Sequence, residues 1–225
     1  MDWDRRHRER EHEIDEPNPV VTNFAGQIAP GSALDLACGT GRHAIWLAEH
    51  GWTVTAVDVS RVAVDILQQR TLERGIAVNI VLADLERHEF AIEPASYDLI
   101  VVCNYLQRDL FPVIRAGVRI GGAVIAVIAM VDSNPNVRPM NPAYLLNPGE
   151  LRAQFEGWEL IHDFEGKAGG VGPRRATAEI IARWPPGIHR WCVGDPLPPS
   201  AALPLTRGRI NKSPEASEGV AHTSS

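Results

Sequence analysis

The sequence predicts an α/β fold built on one mostly parallel β-sheet with helices on both faces. From about Ser32 to Trp184, short runs of apolar and β-branched residues alternate with amphipathic stretches of helical period. Such alternation is typical of a parallel sheet, whose neighbouring strands are joined by crossover helices. The strand-like runs are nearly all apolar, as expected for strands covered on both faces. A chain of 225 residues, 44% of them hydrophobic, can bury one sizeable core, so we expect one main domain.

The first half of this domain alternates strands and helices. Five apolar runs predict strands at 33–36, 53–57, 78–82, 97–103 and 123–131. Residues 42–49 predict a helix that ends at His50-Gly51, and Ser60 can cap a second helix that stops at Gly75. The residues expected to face the core from this second helix are Val62, Val64, Ile66, Leu67 and Leu72.

The connections after the third strand are irregular. Residues 84–96 have no helical period and contain Pro94, so we expect a loop or a single turn. Asp109 can cap a short helix that tolerates Pro112 in its first turn. Residues 119–122 indicate a tight turn that leads into the fifth strand.

The segment after the fifth strand changes in character. Residues 132–149 contain four prolines and four asparagines, which predicts a loop long enough to cover a site. A capped helix near 148–155 and two β-like segments at 157–164 and 175–183 follow. The glycine-rich link at 166–172 is too short for a helical crossover, so we expect these two segments to pair antiparallel.

Three regions are therefore predicted along the chain. Residues 1–30 form a charged, helical segment, and residues 31–184 form the domain. Residues 185–225 hold seven prolines without apolar periodicity, and we expect a disordered or loosely attached tail.

Composition excludes several classes of function. The formal net charge of −6 argues against a protein whose main partner is nucleic acid. Cys38, Cys103 and Cys192 stand far apart, and the eight histidines lack metal-ligand spacing, so we expect neither disulfides nor a metal site. The charged amino terminus does not resemble a secretory signal, and the longest apolar run, 123–131, is shorter than the roughly 20 residues that span a bilayer. We expect a cytoplasmic protein.

A glycine-rich loop follows the first strand and opens a helix. Gly39 and Gly41 allow backbone to approach a ligand closely, and the helix aims its N–H groups at it. With Ala44 these glycines also satisfy the dinucleotide fingerprint, and Asp58 ends the next strand 17 residues after Gly41, where a ribose-binding acid is expected. This pattern alone leaves nicotinamide and S-adenosylmethionine cofactors open.

The charge of Asp35 favours the second cofactor. A carboxylate four residues before Gly39 would repel the diphosphate of NAD, whereas S-adenosylmethionine carries an ammonium and a sulfonium group. Asp84 ends the third strand, where it can accept a hydrogen bond from the adenine amine while Leu85 offers a backbone N–H. We expect the three aspartates to face one crevice at the carboxyl ends of successive strands.

The run from Leu34 to Ala44 resembles the cofactor-binding motif of class I S-adenosylmethionine-dependent methyltransferases, in particular the TehB-like or small-molecule group. The resemblance extends from about Trp3 to Trp184 and implies a Rossmann-like doubly wound sheet of order 3-2-1-4-5-7-6 with strand 7 antiparallel. It implies that Asp35, Gly39 and Gly41 hold the methionine part of the cofactor, Asp58 the ribose, and Asp84 with Leu85 the adenine. The neighbouring positions included in this predicted cofactor site are Ala37, Val59 and Asn104.

The resemblance also implies an acceptor site beside the reactive methyl group. Tyr105 follows the fourth strand, and the segment from Trp3 to His7 is similar to a lid segment of such enzymes, with histidine in place of the usual tyrosine. Candidate acceptor residues are Trp3, His7, Arg42, Tyr105, Arg108 and Tyr144. His43 and Tyr105 are the candidates for a catalytic base.

The predicted function is methyl transfer from S-adenosylmethionine to a small-molecule acceptor, by a monomer or homodimer without a membrane partner. Aligning donor and acceptor and excluding water are the main requirements of this in-line displacement. One alternative is an NAD(P)-dependent oxidoreductase, which predicts a Tyr-x-x-x-Lys pair, but no lysine precedes Lys167. The other is a methyltransferase-like binding module without turnover.

Overall fold

The computed structural model describes residues 2–9, 16–134, 137, 139–167 and 175–185. The helices are α1 (Trp3–Glu9), α2 (Pro19–Ala25), α3 (Arg42–Glu49), α4 (Arg61–Arg74), α5 (Phe111–Gly117) and α6 (Glu150–Ala153). The strands are β1 (Ser32–Leu36), β2 (Thr53–Asp58), β3 (Val78–Leu82), β4 (Tyr97–Cys103), β5 (Val118–Ala129), β6 (Glu159–Gly166) and β7 (Thr177–Arg183). Two 3₁₀ turns lie at Arg108–Leu110 and Pro142–Tyr144.

The seven strands form one sheet of order β3-β2-β1-β4-β5-β7-β6. Strands β1 to β5 pair in parallel, and β7 pairs antiparallel with both β5 and β6. The predicted fold class, the strand order and the antiparallel seventh strand are therefore confirmed. Residues 186–225 of the predicted tail and most of the glycine-rich link at 166–172 lie outside the described residues.

Local sequence explains the helices that flank β1 and β2. The N-cap residue of α3 is Gly41, which has a left-handed φ of 84° and no side chain to cap the helix. The Oγ atom of Ser60 accepts a hydrogen bond from the Ala63 N–H, and Gly75 ends α4 with a φ of 65°. Both helices have the predicted bounds.

The sheet separates two apolar clusters. Leu34 and Leu36 of β1 point into the cluster that also contains Phe111 and Phe155, whereas Ala33 belongs to the cluster beneath α2, α3 and α4. This alternation follows the two-residue period of a strand. The carboxyl edge between the two layers holds the predicted site.

Three predictions about local structure are wrong. The predicted turn at 119–122 lies inside β5, because this strand begins at Val118 and absorbs an irregularity in its pairing with β4. Asp109 does not cap α5, and its carboxylate lies 3.3 Å from His88 Nε2 instead. Leu72 was expected in the core but is 75% exposed.

Strand β3 was expected to be covered on both faces, like the other parallel strands, but it is not. None of its five residues is buried, although the other parallel strands are largely buried. The segment 83–96 between β3 and β4 forms turns and no helix, as predicted, so this crossover leaves part of the sheet uncovered. Among the residues that are described, no helix has the length and apolar character needed to cross a membrane.

Candidate cofactor and acceptor site

The candidate site lies where β3, β2, β1 and β4 end side by side. Leu36 pairs with Val57 of β2 and with Val102 of β4, and Asp58 pairs with Leu82 of β3. The loops that follow these four strands therefore meet at one edge of the sheet, which is where parallel sheets bind ligands.

The glycine loop after β1 depends on left-handed backbone. Ala37, Gly39 and Gly41 have φ angles of 52°, 57° and 84°. The Gly41 N–H donates to the Cys38 carbonyl over 3.0 Å, which closes a tight turn. A Cβ atom on Gly41 would collide with the Leu67 side chain of α4. Glycine is thus required here by both backbone conformation and close packing.

Asp58 organises the loops around it. One carboxylate oxygen accepts the Gly39 N–H over 2.7 Å, and the other accepts the Ser60 N–H over 2.9 Å. The side chain is mostly buried and links the glycine loop to the start of α4. Hydrogen bonds to a charged acceptor are among the stronger ones in proteins.

Asp35 does not face the crevice, so one sequence-based expectation is corrected. Its side chain is only 1% exposed and accepts the Ala44 N–H over 3.1 Å, in the first turn of α3. Burial raises the pKa of Asp35 to about 7, against the lowering effects of the Ala44 hydrogen bond and Arg42. Asp35 therefore holds the first turn of α3 beneath the glycine loop, and its role toward the methionine part of the cofactor stays a prediction.

Asp84 and Leu85 form the end of the site nearest β3. Asp84 accepts the Glu86 N–H over 2.9 Å and lies 3.3 Å from Arg87, yet its side chain stays partly exposed. Leu85 is buried and its carbonyl accepts a hydrogen bond from Gln107 Nε2 over 3.1 Å. This arrangement leaves the Asp84 side chain accessible from the crevice.

Gln107 is a residue that the sequence analysis missed. Its Oε1 atom accepts the Tyr105 hydroxyl over 2.7 Å while its amide nitrogen holds Leu85, so it connects the loops after β4 and β3. Burial, followed by the charges of Glu86 and Asp84, raises the pKa of Tyr105 well above its usual value. A glutamine two residues beyond Tyr105 carries no local sequence signal for this bridge.

Two further candidate positions lie on the surface of this edge. Asn104 follows β4 with a left-handed φ of 59°, and its N–H donates to Val127 over 2.8 Å. Val59 follows β2 and is an exposed apolar side chain beside Asp58. Left-handed Ala37 and Asn104 thus follow the two central strands, and strained backbone of this kind tends to occur at functional sites.

His43 is placed in the interior, away from the crevice surface. Its Nε2 atom accepts the Asn18 N–H over 3.2 Å. Burial, with a smaller effect of Arg42, lowers the pKa of His43 to about 3. The imidazole is buried and its acceptor nitrogen is already used, which argues against the predicted role of catalytic base and favours a structural one.

The buried imidazole of His43 is expected to make the free energy of unfolding depend on pH. The pKa of His43 is about 3 in the folded protein, against a value near 6.5 in the unfolded chain, so between these two pH values the unfolded chain binds a proton that the folded protein does not. The stability is therefore full above pH 6.5 and is lost as the pH falls toward 3. His43→Gln keeps an acceptor for Asn18 without a titrating group. As the pH is lowered from 6.5 to 5, the free energy of unfolding measured with urea should fall by about 2 kcal/mol more in the wild type than in this variant. Parallel pH dependence of the two proteins would contradict a buried neutral His43.

Arg108 is a clamp on the loop after β5 rather than an acceptor ligand. Its guanidinium binds both carboxylate oxygens of Glu150, at 2.6 and 3.1 Å, and also donates to the carbonyls of Ala143 and Leu145. The Glu150 hydrogen bond raises the pKa of Arg108, and the same bond lowers the pKa of Glu150. The two carbonyls flank Tyr144, so Arg108 fixes the backbone that presents this exposed tyrosine.

Removing the clamp is expected to loosen this loop. Arg108→Met keeps the length of the side chain but loses all four hydrogen bonds. Limited proteolysis followed by mass spectrometry should show roughly tenfold faster cleavage within 139–149. Arg152→Met is the matched control, since Arg152 pairs with Asp163 of β6 instead. Equal cleavage in the two variants would show that Arg108 does not restrain the loop.

The amino-terminal helix lies over the glycine loop. Asp4 accepts hydrogen bonds from the Ser60 hydroxyl and the Val62 N–H, so it docks α1 on the start of α4. His7 lies 3.4 Å from the position that a Cβ atom on Gly39 would occupy. Trp3 stacks against His7 with ring centroids 6.2 Å apart. The segment predicted as a lid therefore contacts the cofactor loop, and Asp4 is a second residue that the sequence analysis missed.

Arg42, a candidate for the cofactor carboxylate, lines a cleft of about 440 Å³ behind the glycine loop together with Trp46, Arg70 and Arg74. Arg70 donates to the Thr40 hydroxyl over 2.9 Å and so supports this loop from outside.

Within the described part of the chain, no group of three or more histidine, cysteine or acidic side chains is arranged to bind a metal ion. Cys38 and Cys103 are buried free thiols, and Cys192 lies outside the described residues.

Comparison with known proteins agrees with this geometry. Residues 33–120 match a family model described as a methyltransferase domain. The probable S-adenosyl-L-methionine-dependent methyltransferase TehB of Haemophilus influenzae is 28% identical over 149 residues, which cover 63% of this chain and 50% of TehB. A ubiquinone biosynthesis O-methyltransferase of Pectobacterium carotovorum is 32% identical over 95 residues, covering 40% of this chain and 39% of the relative. This chain thus spans half, or less, of the length of these two relatives.

Solved structures show the same fold. The crystal structure of TehB from Haemophilus influenzae superposes with a TM-score of 0.64 at 23% sequence identity, over 80% of this chain and 66% of that one. Residues 33–120 thus match a methyltransferase domain, and the chain has the fold of these neighbours and is similar to S-adenosylmethionine-dependent methyltransferases, TehB among them.

Proposed function

We propose that this protein transfers a methyl group from S-adenosylmethionine to a small-molecule acceptor. The proposal rests on the position of the Asp58 carboxylate, which accepts the Gly39 N–H of the glycine loop. The partly exposed Asp84 follows the neighbouring strand. The glycine loop offers backbone approach to the methionine part, and Asp58, Val59, Asp84 and Leu85 surround the place proposed for the nucleoside.

Electrostatics support a cationic cofactor. After burial, the largest influences that raise the pKa of Tyr105 are the negative charges of Glu86, Asp84, Asp109 and Asp58. These four carboxylates place negative charge near Tyr105, which favours a sulfonium nucleoside over the diphosphate of a dinucleotide there. Asp35 contributes through the position of α3, because its carboxyl group is buried.

The residues of this chain position the reactants. When bound, the cofactor would supply a methyl group on positively charged sulfur, activated for transfer to an acceptor lone pair. Gln107 fixes the Tyr105 ring beside the fourth strand, and Arg108 fixes the loop that carries Tyr144. The helix α1 covers the glycine loop and helps to exclude water.

The acceptor is proposed to need no base from the protein. His43 is buried with its acceptor nitrogen occupied, and the raised pKa of Tyr105 keeps its phenol protonated near neutral pH. A thiolate or another soft nucleophile reacts directly with an activated methyl group. The similarity to an O-methyltransferase of ubiquinone biosynthesis also favours a small acceptor.

The domain division predicted from sequence completes the proposal. Residues 1–30 serve as the lid segment, 31–184 as the catalytic domain and 185–225 as a tail. The acidic net charge and the buried free thiols favour a cytoplasmic enzyme without nucleic acid as its main partner.

Turnover with labelled cofactor tests the proposal. The protein is incubated with methyl-labelled S-adenosylmethionine and a panel of thiol, chalcogen oxyanion, phenol and amine acceptors. We expect protein-dependent transfer of label to at least one acceptor, most readily to a thiol or a chalcogen oxyanion. Saturable cofactor binding without transfer to any acceptor would instead favour a binding module.

A further inference from the structure

Gln107 fixes the direction of the hydrogen bond that the Tyr105 hydroxyl makes. The amide nitrogen of Gln107 donates to the Leu85 carbonyl over 3.1 Å, and a carbonyl oxygen can only accept. The amide oxygen of the same side chain must therefore face Tyr105, whose hydroxyl lies 2.7 Å away. Because an amide oxygen has no proton to give, the hydroxyl is the donor. The single phenolic proton of Tyr105 is thereby committed to Gln107.

The remaining hydrogen-bonding capacity of this hydroxyl is that of an acceptor. Its oxygen keeps lone-pair capacity after the proton is used, but it has no second proton to offer to a ligand. The ring of Tyr105 is half-buried and packs against the apolar cluster that contains Phe111 and Phe155, so the hydroxyl is held in place. A ligand group that meets Tyr105 must consequently donate the hydrogen bond.

Negative charge around Tyr105 favours a cationic donor. Burial is the main cause of the raised pKa of Tyr105, and the next causes are the charges of Glu86, Asp84, Asp109 and Asp58. Asp58 ends β2 and Asp84 follows β3, so these charges act from the crevice at the carboxyl edge of the sheet. An ammonium group would gain both a hydrogen bond and Coulomb attraction there.

We propose that Gln107 is a positioning residue that turns a lone pair of the Tyr105 hydroxyl toward the methyl acceptor. The enzyme then selects thiols that carry a hydrogen-bond donor, above all an ammonium group, close to the sulfur. This inference rests on the proposed function and narrows the thiols of that function. Gln107 acts through Tyr105, the second residue after β4, and needs no contact of its own with the methyl acceptor.

Three thiols that differ in one heavy atom test the inference. Cysteamine carries an ammonium group where mercaptoethanol carries a hydroxyl group and propanethiol a methyl group. The value of kcat/KM is measured for each thiol with methyl-labelled S-adenosylmethionine, and the wild type should prefer them in that order. Because the thiols also differ in acidity, the decisive quantity is the change in preference between wild type and variant, in which acidity cancels.

Tyr105→Phe keeps the ring but removes the hydroxyl. The preference for cysteamine over propanethiol should fall about tenfold, as expected for one lost hydrogen bond to a charged group. Gln107→Leu frees the phenolic proton, so the hydroxyl can also donate, and the preference should fall about threefold. Gln68→Leu, at an exposed glutamine of α4, is the matched control and should leave the preference unchanged. A general loss of structure would lower all three kcat/KM values together.

Calorimetric titration with S-adenosylhomocysteine separates the remaining outcomes. Tyr105→Phe should bind this nucleoside as the wild type does. Weaker binding with an unchanged preference would assign the hydroxyl to the cofactor and overturn the inference, as would equal preferences in the wild type and Tyr105→Phe. Transfer of label to other acceptors but to none of the three thiols would also overturn it and leave the proposed function standing. A wild type that binds no S-adenosylhomocysteine would contradict the proposed function itself.

Discussion

Asp58→Ala is expected to weaken binding of S-adenosylmethionine by about a hundredfold. The substitution removes the acceptor of two hydrogen bonds, from the N–H groups of Gly39 and Ser60, and one negative charge from the crevice. A hydrogen bond to a charged group contributes about 1.5–3 kcal/mol. The loss of one such bond between Asp58 and the cofactor therefore lowers the affinity by about tenfold or more. Isothermal titration calorimetry measures the effect directly.

Two variants separate the role of the carboxylate from a general loss of structure. Asp58→Asn keeps one oxygen acceptor but loses the charge, and its affinity should fall between those of the wild type and Asp58→Ala. Asp65→Ala removes an exposed acid of α4 that lies 4.0 Å from Arg61, and its affinity should match the wild type. Unchanged affinity of Asp58→Ala would remove this residue from the proposed site.

Gly41→Ala is expected to destabilise the fold by about 3 kcal/mol and to lower Tm by roughly 10 °C. The left-handed φ of 84° strains any residue with a Cβ atom, and that atom would collide with Leu67, which is fully buried. Because Leu67 is fully buried, either its side chain must move against neighbouring core residues or the glycine loop must shift. Thermal unfolding followed by circular dichroism gives the change in Tm.

Gly75→Ala is the matched control for this prediction. Gly75 has a similar left-handed φ of 65°, but a Cβ atom there would meet nothing within 4 Å. Its cost should be limited to backbone strain, about 1 kcal/mol, or roughly 3 °C in Tm. Equal losses in the two variants would show that contact with Leu67 does not matter.

Much of the fold follows from local sequence. The bounds of α3 and α4 were predictable because Gly41, Ser60 and Gly75 carry helix start and stop signals. Nearly all-apolar runs located the parallel strands, with β3 and β4 at the predicted bounds. The strand order came from the family resemblance, because long-range pairing is not encoded in any one segment.

The errors share a physical reason. Local pattern does not reveal how far the sheet and the neighbouring helices cover each side of a helix, so Leu72 near the end of α4 was assigned to the core although it is 75% exposed. The same limit applies to β5, where pairing with β4 extends the strand through the predicted turn at 119–122.

The position of the candidate site could be predicted from the sequence, but the roles of its residues could be predicted only in part. The pattern located Asp35, Asp58 and Asp84 at the ends of three adjacent strands, yet it did not reveal that Asp35 lies buried beneath the loop. The partners of Arg108 and Gln107 come from segments 42 and 22 residues away, Glu150 and Leu85. Bridges of this length depend on the assembled fold rather than on motif spacing.

The central claim is that the carboxyl edge of this sheet binds a cationic nucleoside rather than an anionic dinucleotide. Calorimetric titration of the full chain with S-adenosylmethionine, S-adenosylhomocysteine and NADH tests it most directly. We expect saturable one-to-one binding of the two sulfur nucleosides and no binding of NADH. Binding of NADH without binding of S-adenosylmethionine would contradict the account.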